Sequence, residues 1–267
     1  MKNVVFCIDS DGCVMDTMTY KHQLFFGPIA AQFFMVKDKE KFLKDWNFIN
    51  LYSETRGINR FLGLVKTLEK NDVHGIEALK KWVNSTNELS NYSLKREIKK
   101  HTKPSFDLIK ALNWSESVNE EIKKTEGLDK TFPEASNTLR ELKKHGEIFI
   151  VSSANKEAVS NEWKRHGLYS YVDELCCQDK GKKEEIICGI KDSRKSVNSI
   201  LMIGDSPGDL EAANKNGVNF YPILVGKEKK SWITLKNKAL PIFLSGEYTN
   251  LERDYINEFW GNLKKDN

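Results

Sequence analysis

Val4-Val5-Phe6-Cys7-Ile8-Asp9-Ser10-Asp11-Gly12 is a run of five apolar residues followed at once by two aspartates at i, i+2 and a glycine. A short, continuous apolar run reads as a strand buried on both faces, the kind found inside parallel sheets. Asp is disfavoured within strands, so Asp9 and Asp11 mark the strand's carboxyl end. Ligands bind at that end of open parallel sheets, and Gly12 lets the chain turn away sharply. A calcium loop of the EF-hand type is excluded. It needs an oxygen ligand at its fifth position and Glu at its twelfth, where this chain has Cys13 and Tyr20.

Working outward, three more apolar runs have the same texture: Ile148–Val151, Ser199–Ile203 and Phe220–Val225. Amphipathic helices lie between them. Ala135, Leu139 and Leu142 form one stripe with Gly146 beyond it, and Val159 and Trp163 share a face with Gly167 beyond. Ser206 suits an N-cap, Pro207 the first helical turn, Leu210 and Ala213 the inner face, and Gly217 the stop. Buried runs alternating with helices predict a doubly wound α/β domain with a parallel sheet. From about residue 17 to 129 the texture is different. Phe61, Leu64, Val65 and Leu68 fall at i, i+3, i+4, i+7, other helical stretches follow, and no run reads as a strand. This predicts a helical insertion after the first strand.

At about 150 residues per domain, 267 residues make one large domain or two modest ones. With 39% hydrophobic and 30% charged residues, 14 Phe and 6 Trp, the chain is too aromatic for disorder and too polar for a membrane protein. No apolar run approaches the roughly 18 residues of a membrane span, and Asp9 and Asp11 cut short any signal-peptide core. The net charge of +4 is spread along the chain, with no compact basic and aromatic patch for nucleic acid. Five cysteines without a C-x-x-C pair read as reduced thiols of a cytoplasmic protein.

A second acidic pair sits in Gly204-Asp205-Ser206-Pro207-Gly208-Asp209, just after the run ending at Ile203. If the two strand ends meet, Asp9, Asp11, Asp205 and Asp209 share one site. Like charges about 4 Å apart repel by about 4 kcal/mol at an effective dielectric of 20. Such a set needs a cation, and all-oxygen ligands favour Mg²⁺. Ser152-Ser153 follows another strand and offers hydroxyl and backbone donors. Gly181-Lys182-Lys183 precedes a helix, where the macrodipole disfavours a cation and stability alone does not account for the lysines. The five histidines have no metal-ligand spacing.

Asp9-x-Asp11-Gly12, Ser152, Lys183 and Gly204-Asp205-x-x-x-Asp209 resemble, in order and context, the motifs of the haloacid dehalogenase-like hydrolase superfamily, in particular its capped, phosphoglycolate phosphatase-like members. The resemblance covers about residues 1–16 and 130–226. It implies a Rossmann-like core domain over 1–16 and 130–267 and a helical cap domain over 17–129. It implies Asp9 as nucleophile forming an aspartyl-phosphate, and Asp11 as general acid/base. Asp205 would be the metal-binding acid, with Asp9 and the main-chain carbonyl of Asp11 as further Mg²⁺ ligands and Asp209 supporting them. Ser152, Ser153 and Lys183 would hold the phosphoryl group. The second Asp argues against dehalogenation, since the dehalogenases of this superfamily lack it and the metal.

Within the insertion, Asn59 suits an N-cap, which places Arg60 in the first helical turn, where the dipole disfavours it. Arg56 and Arg60 beside free helix N–H groups make an anion site, and capped sugar-phosphate mutases and related phosphatases carry a similar element. The expectation is a Mg²⁺-dependent phosphatase of a small phosphorylated metabolite, with Arg56 and Arg60 reading the distal end of the substrate. A phosphomutase using the same residues and a non-catalytic binding relative are the alternatives. A membrane or nucleic-acid partner is not expected, and the chain would be a monomer or a homodimer.

Overall fold

The structure is a computed structural model describing residues 4–125, 127–193 and 200–264. Five strands form one sheet: β1 (Val5–Ile8), β2 (Glu147–Val151), β3 (Glu174–Cys176), β4 (Ile200–Gly204) and β5 (Asn219–Pro222), in the order β3-β2-β1-β4-β5. Every pairing is parallel, as the continuous apolar runs predict. Ser199, which opens the third predicted run, lies outside the described residues.

Side-chain alternation divides the core between the two faces of the sheet. Phe6, Ile8, Ile148, Ile150, Leu201 and Ile203 share a cluster with Leu139, Trp163 and Trp232. Val5, Cys7, Phe149, Val151, Ile200 and Met202 pack on the other side with Ile187, Leu210 and Phe259. The first face is covered by helices Ala135–Lys143 and Lys156–Arg165, the second by Lys183–Asp192 and Pro207–Asn216. Burying each large aliphatic side chain stabilises the fold by about 1.5–3 kcal/mol. Central strand β1 is entirely buried.

Two elements escape the apolar pattern. Strand β3 is three residues long and begins with an exposed glutamate, too short for a periodicity signal. After β5 the chain continues as helices Glu228–Thr234, Leu240–Ser245 and Tyr248–Asn262. The last of these closes one sheet edge, where the Glu252 carboxylate accepts from Phe220 N (2.5 Å) and Asn219 Nδ2 (2.8 Å). The Phe220–Val225 run is a strand only as far as Pro222, although Ile223 N still donates to Gly204 O at 2.8 Å.

The chain divides into two compact units, one of Met1–Met18 with Asp129–Lys265 and the other of Thr19–Leu128. The second unit is helical, built mainly from Lys39–Asn47, Arg60–Lys70, Glu77–Ser85, Asn91–Lys99 and Phe106–Lys124. Its core is aromatic, with Phe26, Trp46, Phe61, Trp82 and Trp114 in mutual contact, mostly edge to face. Trp114 Nε1 donates to Phe26 O at 3.1 Å, so the buried indole is satisfied. Within the first unit the two connecting segments pair: Asp16 N donates to Lys130 O (2.7 Å) and Phe132 N to Val14 O (2.9 Å).

Candidate active site

In β1, Ile8 is in register with Ile150 of β2 and Ile203 of β4, so the carboxyl ends of the three strands lie level. The strand order reverses direction at β1, which makes this end a topological switch point. Asp9 N extends the pairing to Ile203 O at 3.0 Å. The chain then winds round one carbonyl: Ser10 O accepts from Val14 N (3.1 Å) and Met15 N (2.9 Å). Gly12 makes the turn with φ 82°, a conformation side chains resist. Thr17 Oγ1 donates to Asp11 Oδ1 and holds that carboxyl group.

At the end of β4 the helix Pro207–Asn216 begins with Ser206 as N-cap and proline in its first turn. Asp209 folds back, and its Oδ2 accepts from Asp205 N (3.2 Å), Ser206 N (3.0 Å) and Ser206 Oγ (2.8 Å). These bonds satisfy donors at the helix start and fix the backbone that aims Asp205. Gly204 makes room, since a Cβ there would lie 2.4 Å from Asp209 Cβ.

Carboxylate oxygens of Asp9, Asp205 and Asp209, all buried, lie within 4.8 Å of one another. Lys183 Nζ sits against them, 2.9 Å from Asp9 Oδ1 and 2.6 Å from Asp209 Oδ1. The lysine opens its helix against the macrodipole, and the two ion pairs account for it. Burial weakens its charge, but Asp209 and Asp9 outweigh that and hold the ammonium protonated well beyond the ordinary lysine range. Burial, with Asp209 and Asp205 alongside, lifts the Asp9 carboxyl well above the usual carboxylate range against the pull of Lys183. Three carboxylates facing one ammonium leave an excess of negative charge. An all-oxygen set of this kind suits a hard divalent cation such as Mg²⁺.

The remaining predicted residues fall in three places. Asp11 is outside the carboxylate trio, with its carboxyl group on Thr17. Ser152 follows β2 and is buried; its N donates to Cys176 O (3.0 Å), and its Oγ accepts from Ala154 N (3.2 Å). Ser153 is exposed. Arg56 and Arg60 belong to the Thr19–Leu128 unit. Arg56 is buried and donates to Leu51 O at 2.7 Å. Asn59 caps the helix through Phe61 N at 2.9 Å. Arg60 Nη1 donates to Ser115 Oγ (3.1 Å) and Asn119 Oδ1 (2.7 Å), and its guanidinium lies 4.8 Å from the Phe26 ring. Among the described residues no carboxylate pairs with Arg60, and burial lowers its pKa to about 10.

Sequence reasoning missed Thr17, which has no local signal beyond its place in the loop. It also took Trp163 only as an apolar residue of its helix and gave Trp232 no role, whereas both indoles donate to the Ser10–Met15 loop.

No curated protein matches the sequence significantly. Among solved structures, a proposed phosphoglycolate phosphatase from Lactobacillus delbrueckii subsp. bulgaricus is similar, with a TM-score of 0.52 at 14% identity over 82% of this chain and 85% of that one. A predicted phosphoglycolate phosphatase from Haemophilus somnus gives 0.49 at 14% identity over 83% and 85%. A hydrolase from Pseudomonas syringae gives 0.49 at 14% identity over 86% and 90%. The first of these likenesses supports the fold. The family model described as haloacid dehalogenase-like hydrolase matches residues 65–223, a span that includes β2 to β5, Lys183, Asp205 and Asp209. That span is more than half of the 267 residues, and the chain belongs to the haloacid dehalogenase-like hydrolase family.

Proposed function

We propose that the protein is a Mg²⁺-dependent phosphatase that hydrolyses a small phosphorylated metabolite through an aspartyl-phosphate on Asp9. The observation that carries this reading is the meeting of three buried carboxylates and one ammonium at the ends of β1 and β4. Asp9, the main-chain carbonyl of Asp11 and Asp205 would hold the cation. Asp209 backs them, because its oxygens already serve Lys183 and the helix start. When bound, Mg²⁺ offsets charge on the phosphoryl oxygens and keeps the reacting groups in line.

An oxygen of Asp9 attacks phosphorus, and the leaving alcohol oxygen takes its proton from Asp11. Asp11, now a carboxylate, removes a proton from water, which attacks the phosphorus of the aspartyl-phosphate and releases phosphate and free Asp9. Lys183 uses two of its three N–H donors on Asp9 and Asp209, which leaves one for a phosphoryl oxygen. The Ser152 hydroxyl accepts from Ala154 and keeps its own proton to donate. Ser153 N–H is the further donor of that loop.

In this reading the Thr19–Leu128 unit would serve as the cap, and an insertion of that size favours a small-molecule substrate. Arg60 is the better anion reader of the two arginines, being desolvated without a carboxylate partner among the described residues. The free thiols of all five cysteines support a reducing, cytoplasmic setting.

The test is phosphate release from p-nitrophenyl phosphate and a panel of phosphorylated metabolites, with Mg²⁺ or EDTA, beside Asp9→Asn. Mg²⁺-dependent release that is lost in the variant supports the reading. No release from folded, Mg²⁺-bound protein overturns it in favour of a mutase or a binding protein.

A further inference from the structure

Two tryptophans from distant parts of the chain meet the loop that carries Asp9 and Asp11. Trp163 Nε1 donates to Ser10 Oγ at 2.9 Å, and Trp232 Nε1 donates to Cys13 O at 3.1 Å. Both indoles and Ser10 are completely buried, so neither bond has water as a substitute. Ser10 stands between the two aspartates, and Cys13 lies two residues beyond Asp11. The two bonds therefore flank Asp11 along the chain, and the first falls directly after Asp9.

The anchors are themselves fixed. Trp163 projects from the helix Lys156–Arg165, which follows the Ser152 turn and is capped by Asn155. On the other side, Trp232 O accepts from Thr138 Oγ1 at 3.1 Å, and the preceding Ser231 O accepts from Tyr221 OH at 2.7 Å. Leu224 N donates to Ser231 Oγ at 3.0 Å. Trp232 is thus tied to a helix over the sheet and to β5, while its indole reaches the loop. It lies beyond residue 223, where the family match ends, so this anchor belongs to the C-terminal helical segment of this chain.

Packing alone would be served by any large apolar side chain at either position. An indole aimed at a polar group of the loop does more, because the Trp163 bond holds Ser10, between Asp9 and Asp11, and the Trp232 bond holds the backbone just past Asp11. We propose that Trp163 and Trp232 are positioning residues that hold the Ser10–Met15 loop, and with it the carboxyl groups of Asp9 and Asp11, in reacting geometry. The inference rests on the hydrolytic reading of those two aspartates.

The test uses the full chain with Trp163→Phe, Trp232→Phe, Ser10→Ala and the pair Ser10→Ala/Trp163→Phe, beside Trp82→Phe from the other unit as a control. With folding verified by circular dichroism at assay temperature, Mg²⁺-dependent hydrolysis of p-nitrophenyl phosphate should show kcat lowered about tenfold in each single loop variant, with KM within about twofold; a small misplacement of reacting groups acts on kcat in this way. The Ser10→Ala/Trp163→Phe pair should be no slower than its slower single variant, and Trp82→Phe should keep its kcat. Backbone amide exchange at Cys13, Val14 and Met15 should accelerate in both tryptophan variants. Folded variants with unchanged kcat, or unchanged exchange at those amides, overturn the proposal. Ser10→Ala keeps the test open should a tryptophan variant fail to fold. If the unmodified protein releases no phosphate, the hydrolytic reading fails by itself. The exchange measurement then still decides whether the indoles hold the loop.

Discussion

Lys183 Nζ lies 2.6 Å from Asp209 Oδ1, while Oδ2 of the same carboxylate accepts hydrogen bonds from Asp205 and Ser206. One buried side chain thus ties the start of one helix to the lysine that opens another. Removing Lys183 leaves buried carboxylates without their counter-charge, and removing Asp209 leaves the lysine with Asp9 and takes the acceptor from the Asp205 and Ser206 donors. Asp209→Ala and Lys183→Met should each lose about 3–5 kcal/mol of stability in urea unfolding at neutral pH. The double variant should cost clearly less than their sum; additive costs would mean that the pair is not coupled.

Gly204 and Gly217 offer a contrast between crowding and backbone conformation. A methyl group on Gly204 would lie 2.4 Å from Asp209 Cβ, an atom tied to the backbone that cannot swing aside, whereas around Gly217 nothing lies within 4 Å. Gly204→Ala should cost about 1–3 kcal/mol and displace the acidic site, with loss of phosphate release. Gly217→Ala meets only its φ of 59° and should cost about 1–2 kcal/mol with turnover retained. Thermal melts and turnover of the two variants, measured side by side, check the contrast. Equal turnover would refute it.

Asp129 is buried and faces Arg165 and His166, with His166 Nε2 2.7 Å from its Oδ2. Burial raises its pKa, but the bond from His166, a backbone bond and the charge of Arg165 together hold the carboxyl below its ordinary value. A carboxyl group with a depressed folded pKa stabilises the fold above its unfolded pKa of about 3.9, and that contribution disappears as the pH falls through the folded value. Asp129→Asn should therefore cost about 1.5–3 kcal/mol at neutral pH. Urea unfolding of both proteins from pH 7 to pH 3 should show the gap narrowing below pH 4. A gap independent of pH would contradict the ionic origin.

The two arginines of the helical unit should separate in kinetics. Arg56 is buried against Leu51 O, so Arg56→Gln should lower the melting temperature with little change in KM for the best metabolite. Among the described residues Arg60 holds neutral partners, and Arg60→Gln should raise KM by about tenfold, the loss of one charged hydrogen bond. An unchanged KM for Arg60→Gln would remove this residue from substrate recognition.

Where local chemistry is strong, the sequence is legible. Asp after an apolar run marks the ends of β1 and β4, and Ser206-Pro207 with Gly217 bounds a helix to the residue. Lys182 and Lys183 are another matter. Adjacent residues at a helix start point about 100° apart, and only the folded chain brings Lys183 to Asp9. Strand β3 is too brief to show a period. The Trp232 contact joins residues 219 positions apart, and nothing near Trp232 in the chain announces Cys13 as its partner.

The central strand of the sheet is made first, and its neighbours come late. Ile8 pairs with Ile150 and Ile203, so β1 has no partner until the whole Thr19–Leu128 unit has been synthesised. At about 5–20 residues per second, the roughly 140 intervening residues take some 7–28 seconds on the ribosome. During that interval Val4–Ile8 is a short, uncharged, β-prone segment, the composition that seeds aggregation. Asp9 and Asp11 directly follow it and act as gatekeepers against intermolecular strand pairing. The charge that later enters the buried site, with its neighbour Asp11, protects the nascent chain before that site exists.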